Sequence, residues 1–355
     1  MTTRHPAKGS RPQIVPGKRQ GRSAALGLLL TLTLGTASAQ TPRPKIILVT
    51  PDQIGVNDFL KGGRTGTQNV AKALGGDARV YESSDPATRR QNVEAAAREG
   101  ASVVVVLGFE FADIIPDIAP RYRNTKFLIV DTCVDKPAPN VYCVVFRAQE
   151  AAFLAGVEAA LTSASNKVGA IGALDLPLIH EFTDGFAQGA RAARASVGVS
   201  NTVFVGGDSP FADPVRAQQQ ALTVLASGAD RIMSAAAGGN GGVFKAVKDR
   251  PGTLAIGVDV NQCPQAPGAV LDNVEKRVDV AIVRTVTGIL RGKQAQTSSL
   301  GLKEGGMTLT GLRDGTPGSQ CEIAKYPKVL ALTKVFRARI VSGKIKVVDP
   351  MNSGK

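Results

Sequence analysis

The chain has 355 residues, a formal charge of +14, 43% hydrophobic residues, four cysteines, two histidines and no tryptophan. This length fits two domains of ordinary size, and this apolar content supports packed cores and argues against a disordered chain. The Lys and Arg residues are scattered and no basic run interleaves with aromatics, which argues against nucleic-acid binding.

The first 39 residues read as an export signal. Arg4, Lys8, Arg11, Lys18, Arg19 and Arg22 precede the apolar run "AALGLLLTLTLGTA" (24–37), and Ala37-Ser38-Ala39 is an A-x-A cleavage signal before Gln40. The run is short for a membrane span of roughly 20 residues. Its removal takes six bases and no acid, leaving +8. With no cysteine at the cleavage point, the expectation is a periplasmic protein cut after Ala39, without a lipid anchor.

Beyond the leader, strand and helix alternate. "KIILVT" (45–50) is a strand, Asn57 to Leu74 a helix capped by Asn57 or Asp58, "ARVYES" a strand, and Pro86 to Glu99 a helix. "SVVVVLG" (102–108) reads as a strand buried on both faces, Phe111 to Ala119 as a short helix, and "KFLIVD" (126–131) as the next strand. After "VYCVVF" (141–146) the alternation begins again, through "KVGAIGA", "NTVFVGG", "DRIMSAA" and "LAIGVD", each followed by or following a helical stretch. Lys276 to Leu290 is expected to be a helix covering the first sheet, and the tail "KVLALTKVFRARIVSGKIKVVDP" a helix followed by a strand.

The fold class is therefore α/β: two doubly wound, parallel-sheet lobes joined by a multi-segment hinge. The expected division puts 44–143 with 262–305 in an N-terminal lobe and 144–261 with part of 306–355 in a C-terminal lobe. The hinge crossings are expected near 144, near 260 and beyond 305.

Ligands of open parallel sheets bind beyond the carboxyl ends of the strands. Those ends carry Asp52, Asn57-Asp58-Phe59, Gly108-Phe109-Glu110 and Asp131-Thr132 in the first half. In the second half they carry Leu176-Pro177 with Phe182, Asp208 with Phe211, the run from Ala237 to Gly242, and Asp259. The glycine run lacks both GxxxxGK[ST] and GxGxxG spacing, so it reads as a strand-to-helix turn or a close backbone approach to a neutral ligand rather than a phosphate cradle. No GxSxG elbow is present, His180 is the sole histidine after the leader, and strand-tip acids serve binding or capping more often than catalysis.

Cys133 and Cys143 flank the Pro-rich turn "VDKPAPNVY" and can bridge locally, leaving Cys263 with Cys321. Export permits such disulfides, although four cysteines allow three connectivities. No CxxC and no nearby His suggest a zinc site.

The stretches "VVFRAQEAAFLAG", "LDLPLIHEFTDGFAQGARAA", "SAAAGGNGGVFKAV", "AIGVDVNQCPQAPGAVLDNVEKRVDVAI" and "LKEGGM" resemble the basic membrane protein family, the substrate-binding proteins of ABC importers that include purine nucleoside receptors. The resemblance spans about 45–310 and implies a type I periplasmic-binding fold that closes on a nucleoside. It implies that Asp259 and Lys276 hold the ribose hydroxyls, Phe59 and Phe211 stack on opposite faces of the base, Asp131 lies near the base edge, and Gly238 and Gly239 let backbone approach the sugar. Asp52, Asp58 and Phe182 complete the expected ligand set. Two departures from the family pattern bear on the base: Asp58-Phe59-Leu60 stands where the family has "SFN", and the lead-in "TPDQIGV" around Asp52 is one residue short.

The expectation is a non-enzymatic, monomeric binding protein that delivers a small molecule to an ABC permease, without cofactor or metal. The alternatives are the same fold binding a sugar or another heteroaromatic, a ligand-presenting sensor, or an exported nucleoside hydrolase.

Overall fold

The structure, a computed structural model, describes residues 43–313 and 316–351, with Gly17 standing alone. The leader and its expected cleavage after Ala39 lie outside the described residues. The elements in chain order are β1 (Lys45–Thr50), α1 (Asp58–Ala73), β2 (Asp77–Glu82), α2 (Pro86–Arg98), β3 (Val103–Leu107), α3 (Ile115–Ile118), β4 (Lys126–Val130), β5 (Val141–Phe146) and α4 (Ala148–Thr162). There follow β6 (Lys167–Gly172), α5 (Pro177–Ala193), β7 (Gly198–Val199), β8 (Val203–Phe204), α6 (Pro214–Ala226), β9 (Arg231–Ala235), α7 (Asn240–Lys248) and β10 (Leu254–Asp259). The chain then forms β11 (Val270–Lys276), α8 (Val278–Leu290), β12 (Thr297–Leu300), β13 (Met307–Leu309) and α9 (Pro327–Val341).

The first sheet has the order β12-β5-β4-β3-β1-β2, all parallel. Both of its faces are covered, which is why its strands are apolar throughout. Along β1, Ile46 and Leu48 belong to one core and Ile47 and Val49 to the other, and Val103 to Leu107 of β3 are fully buried. The second sheet has the order β13-β11-β10-β9-β6-β7, with β8 also on β6; only β13 runs antiparallel. Right-handed crossovers bring the C-terminal ends of parallel strands to one side of each sheet.

The structure departs from the sequence expectation around Lys276 and in the tail, while the first crossing falls close to where it was expected. Lys276 is not the start of a helix; it ends β11, and α8 begins at Val278. Because β11 pairs with β10, residues 270–276 lie in the second sheet and not with the first, so the middle crossing falls at Arg277 rather than near 260. The first crossing follows Phe146, since β5 pairs with β4 and β12 along Val141–Phe146, and the last lies between Leu300 and Met307. The tail after α9 forms no strand among the described residues.

The crossings are tied together. Arg147 donates through Nε to Glu150 at 2.6 Å and through Nη1 to Ser299 Oγ at 3.0 Å, and it also pairs with Glu304. The Arg277 amide donates to the Gly306 carbonyl at 2.9 Å. Cys133 is joined to Cys143 and Cys263 to Cys321. The latter links the loop after β10 to the segment before α9, 58 residues on.

Candidate ligand-binding cleft

A cavity lies between the two sheets at their strand C-terminal ends and opens to solvent; with that open solvent its space amounts to about 660 Å³. Among the described non-glycine residues, five have positive φ, and three of them, Asp131, Ala237 and Asp259, line this cavity. Asp131 and Ala237 follow β4 and β9, and Asp259 ends β10. Conformations that L-residues disfavour persist where the surroundings impose them, and they cluster at functional sites.

Each side chain is placed by local chemistry. The Asn57 side chain caps α1, accepting from the amides of Phe59 and Leu60, which fixes Phe59 in the first turn. Pro177 opens α5 with a preset φ, and Ile179 and Phe182 then reach the cavity. Asp213 caps α6 through the Arg216 amide at 2.9 Å and closes the loop that carries Phe211. Phe59 and Phe211 enter the cavity from opposite lobes, and Phe211 lies 6.5 Å from Phe109, centroid to centroid.

Electrostatics organise the floor. Lys276 Nζ lies 2.7 and 2.9 Å from the two oxygens of Asp131, and 5.0 to 5.5 Å from the ring centroids of Phe59, Phe146 and Phe182. Burial by itself lowers the ammonium's pKa, but the carboxylates of Asp131 and Asp259 outweigh it and hold the ammonium above its ordinary range. Burial also lifts Asp131, against the pull of Lys276. Asp259 is buried, and no donor among the described residues meets its carboxyl group; burial pushes its pKa up to about 7. Burial does the same to Glu110, at about 7, and to Glu181 behind the cleft, at about 8.

The cavity thus brings together Asp52, Phe59, Asp131, Phe182, Phe211, Asp259 and Lys276. Asp52 sits at the open end and pairs with Arg89 at 3.1 Å. Asp259 and Lys276 share the cavity, but the lysine's hydrogen-bonded partner is Asp131. Asp58 does not line this cavity. Its Oδ2 accepts from Gln262 and Gln265 of the second lobe at 2.9 and 3.0 Å, and its Oδ1 pairs with Lys61. Asp58 fastens the two lobes because the cap at Asn57 turns the next side chain away from the cleft. Gly238 and Gly239 do not line the cavity either. A Cβ on Gly238 would meet the Phe211 carbonyl at 3.0 Å and Val56 at 3.1 Å, so Gly238 serves the contact between lobes. His180 is half-buried on α5 between Asp175 and Asp184.

Glu110, Phe109 and Ile179 line the cavity but are absent from the expected ligand set. For Glu110 and Phe109 the signal was their place directly after β3. Among the described residues, no group of three or more His, Cys, Asp or Glu side chains is placed to hold a metal, and no helix is long and apolar enough to cross a membrane.

Two α/β lobes, crossed several times by the chain and closing on one cavity, define a periplasmic-binding-protein fold. A crystal structure of ABC transporter system solute-binding proteins from Aeropyrum pernix matches with a TM-score of 0.76 at 26% identity, covering 87% of this chain and 94% of that one. The chain belongs to the Bmp family: the family model described as "ABC transporter substrate-binding protein PnrA-like" matches residues 44–346. Among its relatives are a CD4+ T-cell-stimulating antigen of Listeria innocua, 29% identical over 85% of this chain and 88% of the relative, and basic membrane protein A1 of Borrelia garinii, 26% identical over 90% and 91%. A Pyrococcus furiosus relative, 27% identical over 81% of this chain and 80% of its own length, is named an uncharacterized lipoprotein, so the expected absence of a lipid anchor has no support from the relatives.

Proposed function

We propose that this substrate-binding protein captures a nucleoside, most consistently a purine nucleoside, in the periplasm and hands it to an ABC permease, acting as a monomer without catalysis. The observation that carries the reading is the unpartnered carboxyl group of Asp259 in a cavity entered by Phe59 and Phe211 from opposite lobes. A flat ring between phenyl faces gains offset stacking, and a vicinal diol supplies the donors that Asp259 lacks. Asp131 and Lys276 hold each other at the floor, and the ammonium retains capacity to donate to hydroxyl oxygens. The lobes close over the ligand by hinge motion at the crossings beside Arg147, Arg277 and Gly301.

Leu60 favours a second reading, the same fold taking a different heteroaromatic or a sugar. It places an apolar side chain in the cavity wall where the resembled family has an amide. A thermal-shift screen of nucleosides, free bases and sugars separates the two. A ligand at 100 times its Kd adds about 2.7 kcal/mol of stability. Stabilisation by nucleosides alone supports the first reading, and stabilisation by sugars or bases alone overturns it.

A further inference from the structure

Three first-lobe carboxyl groups line the cavity, and two are committed: Asp52 to Arg89, Asp131 to Lys276. Glu110 is the third. Gly108 before it has φ +99°, and a Cβ there would stand 2.3 Å from Glu110 Oε2, so only glycine lets this carboxyl group fold back over the end of β3. In that position Oε2 is buried and meets no hydrogen-bond partner among the described residues. Its charged surroundings are Arg89, Asp52 and Asp131. Leu60 and Phe109 on the same wall offer no side-chain donor. A buried acceptor without a donor is a standing cost, and a ligand group that supplies the donor removes it.

We propose that Glu110 is the specificity-determining residue of the first-lobe wall, selecting ligands that present an N–H donor there, such as the exocyclic amino group of an aminopurine. This deepens the nucleoside reading and rests on it. Asp259 reads the hydroxyls, and Glu110 reads the flat end.

Calorimetric titration with two matched pairs tests it: adenosine against purine riboside, which lacks the 6-amino group, and guanosine against inosine, which lacks the 2-amino group. The wild-type protein prefers the amino-bearing member of at least one pair by about tenfold or more. Glu110→Leu brings that ratio to about one. Glu110→Gln, of the same shape and still an acceptor, keeps part of it, and a melting curve of each variant verifies folding. A wild-type ratio near one in both pairs, or a ratio that survives in Glu110→Leu, overturns the role of Glu110 and leaves the nucleoside reading standing. Failure of the wild type to bind any of the four overturns that reading and this inference with it.

Discussion

Lys276 and Asp131, 145 residues apart, meet through two hydrogen bonds at the floor of the cleft and join the end of β11 in one sheet to the end of β4 in the other. Both side chains are almost fully buried, at 4% and 7% exposure, so neither charge is repaid by water. Removing one partner leaves the other charge buried and unpaired. Lys276→Met and Asp131→Asn are each expected to cost about 3–5 kcal/mol, and the double variant distinctly less than the sum. Urea denaturation of the four proteins reads this coupling. Additive losses would show that the pair does not act as a unit.

Asp259 is expected to serve binding at the expense of stability. Asp259→Ala removes a charge-assisted hydrogen bond of about 1.5–3 kcal/mol, a loss of about ten- to more than a hundredfold in nucleoside affinity by calorimetry. The same change removes a buried carboxyl group that meets no hydrogen-bond donor among the described residues and whose burial outweighs its attraction to Lys276, so the unliganded variant should be no less stable than the wild type at pH 8. Undiminished affinity would count against the role of Asp259.

Several buried acids set the pH dependence. Asp259 and Glu110 titrate at about 7 and Glu181 at about 8, chiefly through burial, against about 4 for an exposed carboxyl group. The folded state therefore binds more protons than the unfolded chain between these values. The stabilisation is fully present below about pH 4 and is lost as pH rises through about 7 to 8. Unfolding midpoints of the ligand-free protein should fall across that window, and Glu181→Gln should flatten the upper part. A midpoint that is flat or rises from pH 5 to 8 would contradict the assignment.

In the second-lobe core, Glu158 is fully buried beside Asp272, and burial and that neighbour hold it well above the carboxylate range. Asp272 accepts from the amides of Asn273 and Gly311, so the proton resides on Glu158. Glu158→Gln supplies an amide N–H in its place and should raise the unfolding midpoint at pH 9 more than at pH 6. An equal effect at both values would exclude a retained proton.

The Cys263–Cys321 bridge closes a loop of 58 residues that holds β11, α8 and both later hinge strands. Replacing both cysteines with serine is expected to cost about 2–4 kcal/mol, and reductant should then have a smaller effect on the remaining Cys133–Cys143 bridge. Denaturation with and without reductant measures both.

The alternation of apolar strands and helices was legible because strands buried on both faces are apolar without interruption. "VVVVL" and "LAIGVD" are runs of this kind. The ends of those strands were legible for the same reason: chain order alone puts Asp131 and Asp259 on the ligand side of their sheets. The strand β11 was hidden. Its seven residues, "VLDNVEK", are all buried, yet four are polar and read as a loop. Their partners are distant in sequence: Gly311 for Asp272, Thr310 and Arg313 for Glu275, and Asp131 for Lys276.

The sequence by itself thus determined the uninterrupted apolar strands and the residues at their tips, though not β11, since these follow from local periodicity and from the handedness of crossovers. Only the tertiary structure decided which tip residues face one another. Lys276 pairs with Asp131, Asp58 turns to Gln262, and Oε2 of Glu110 is left without a hydrogen-bond partner among the described residues. Burial makes these pairings strong, and burial is a property of neighbours brought together from remote parts of the chain.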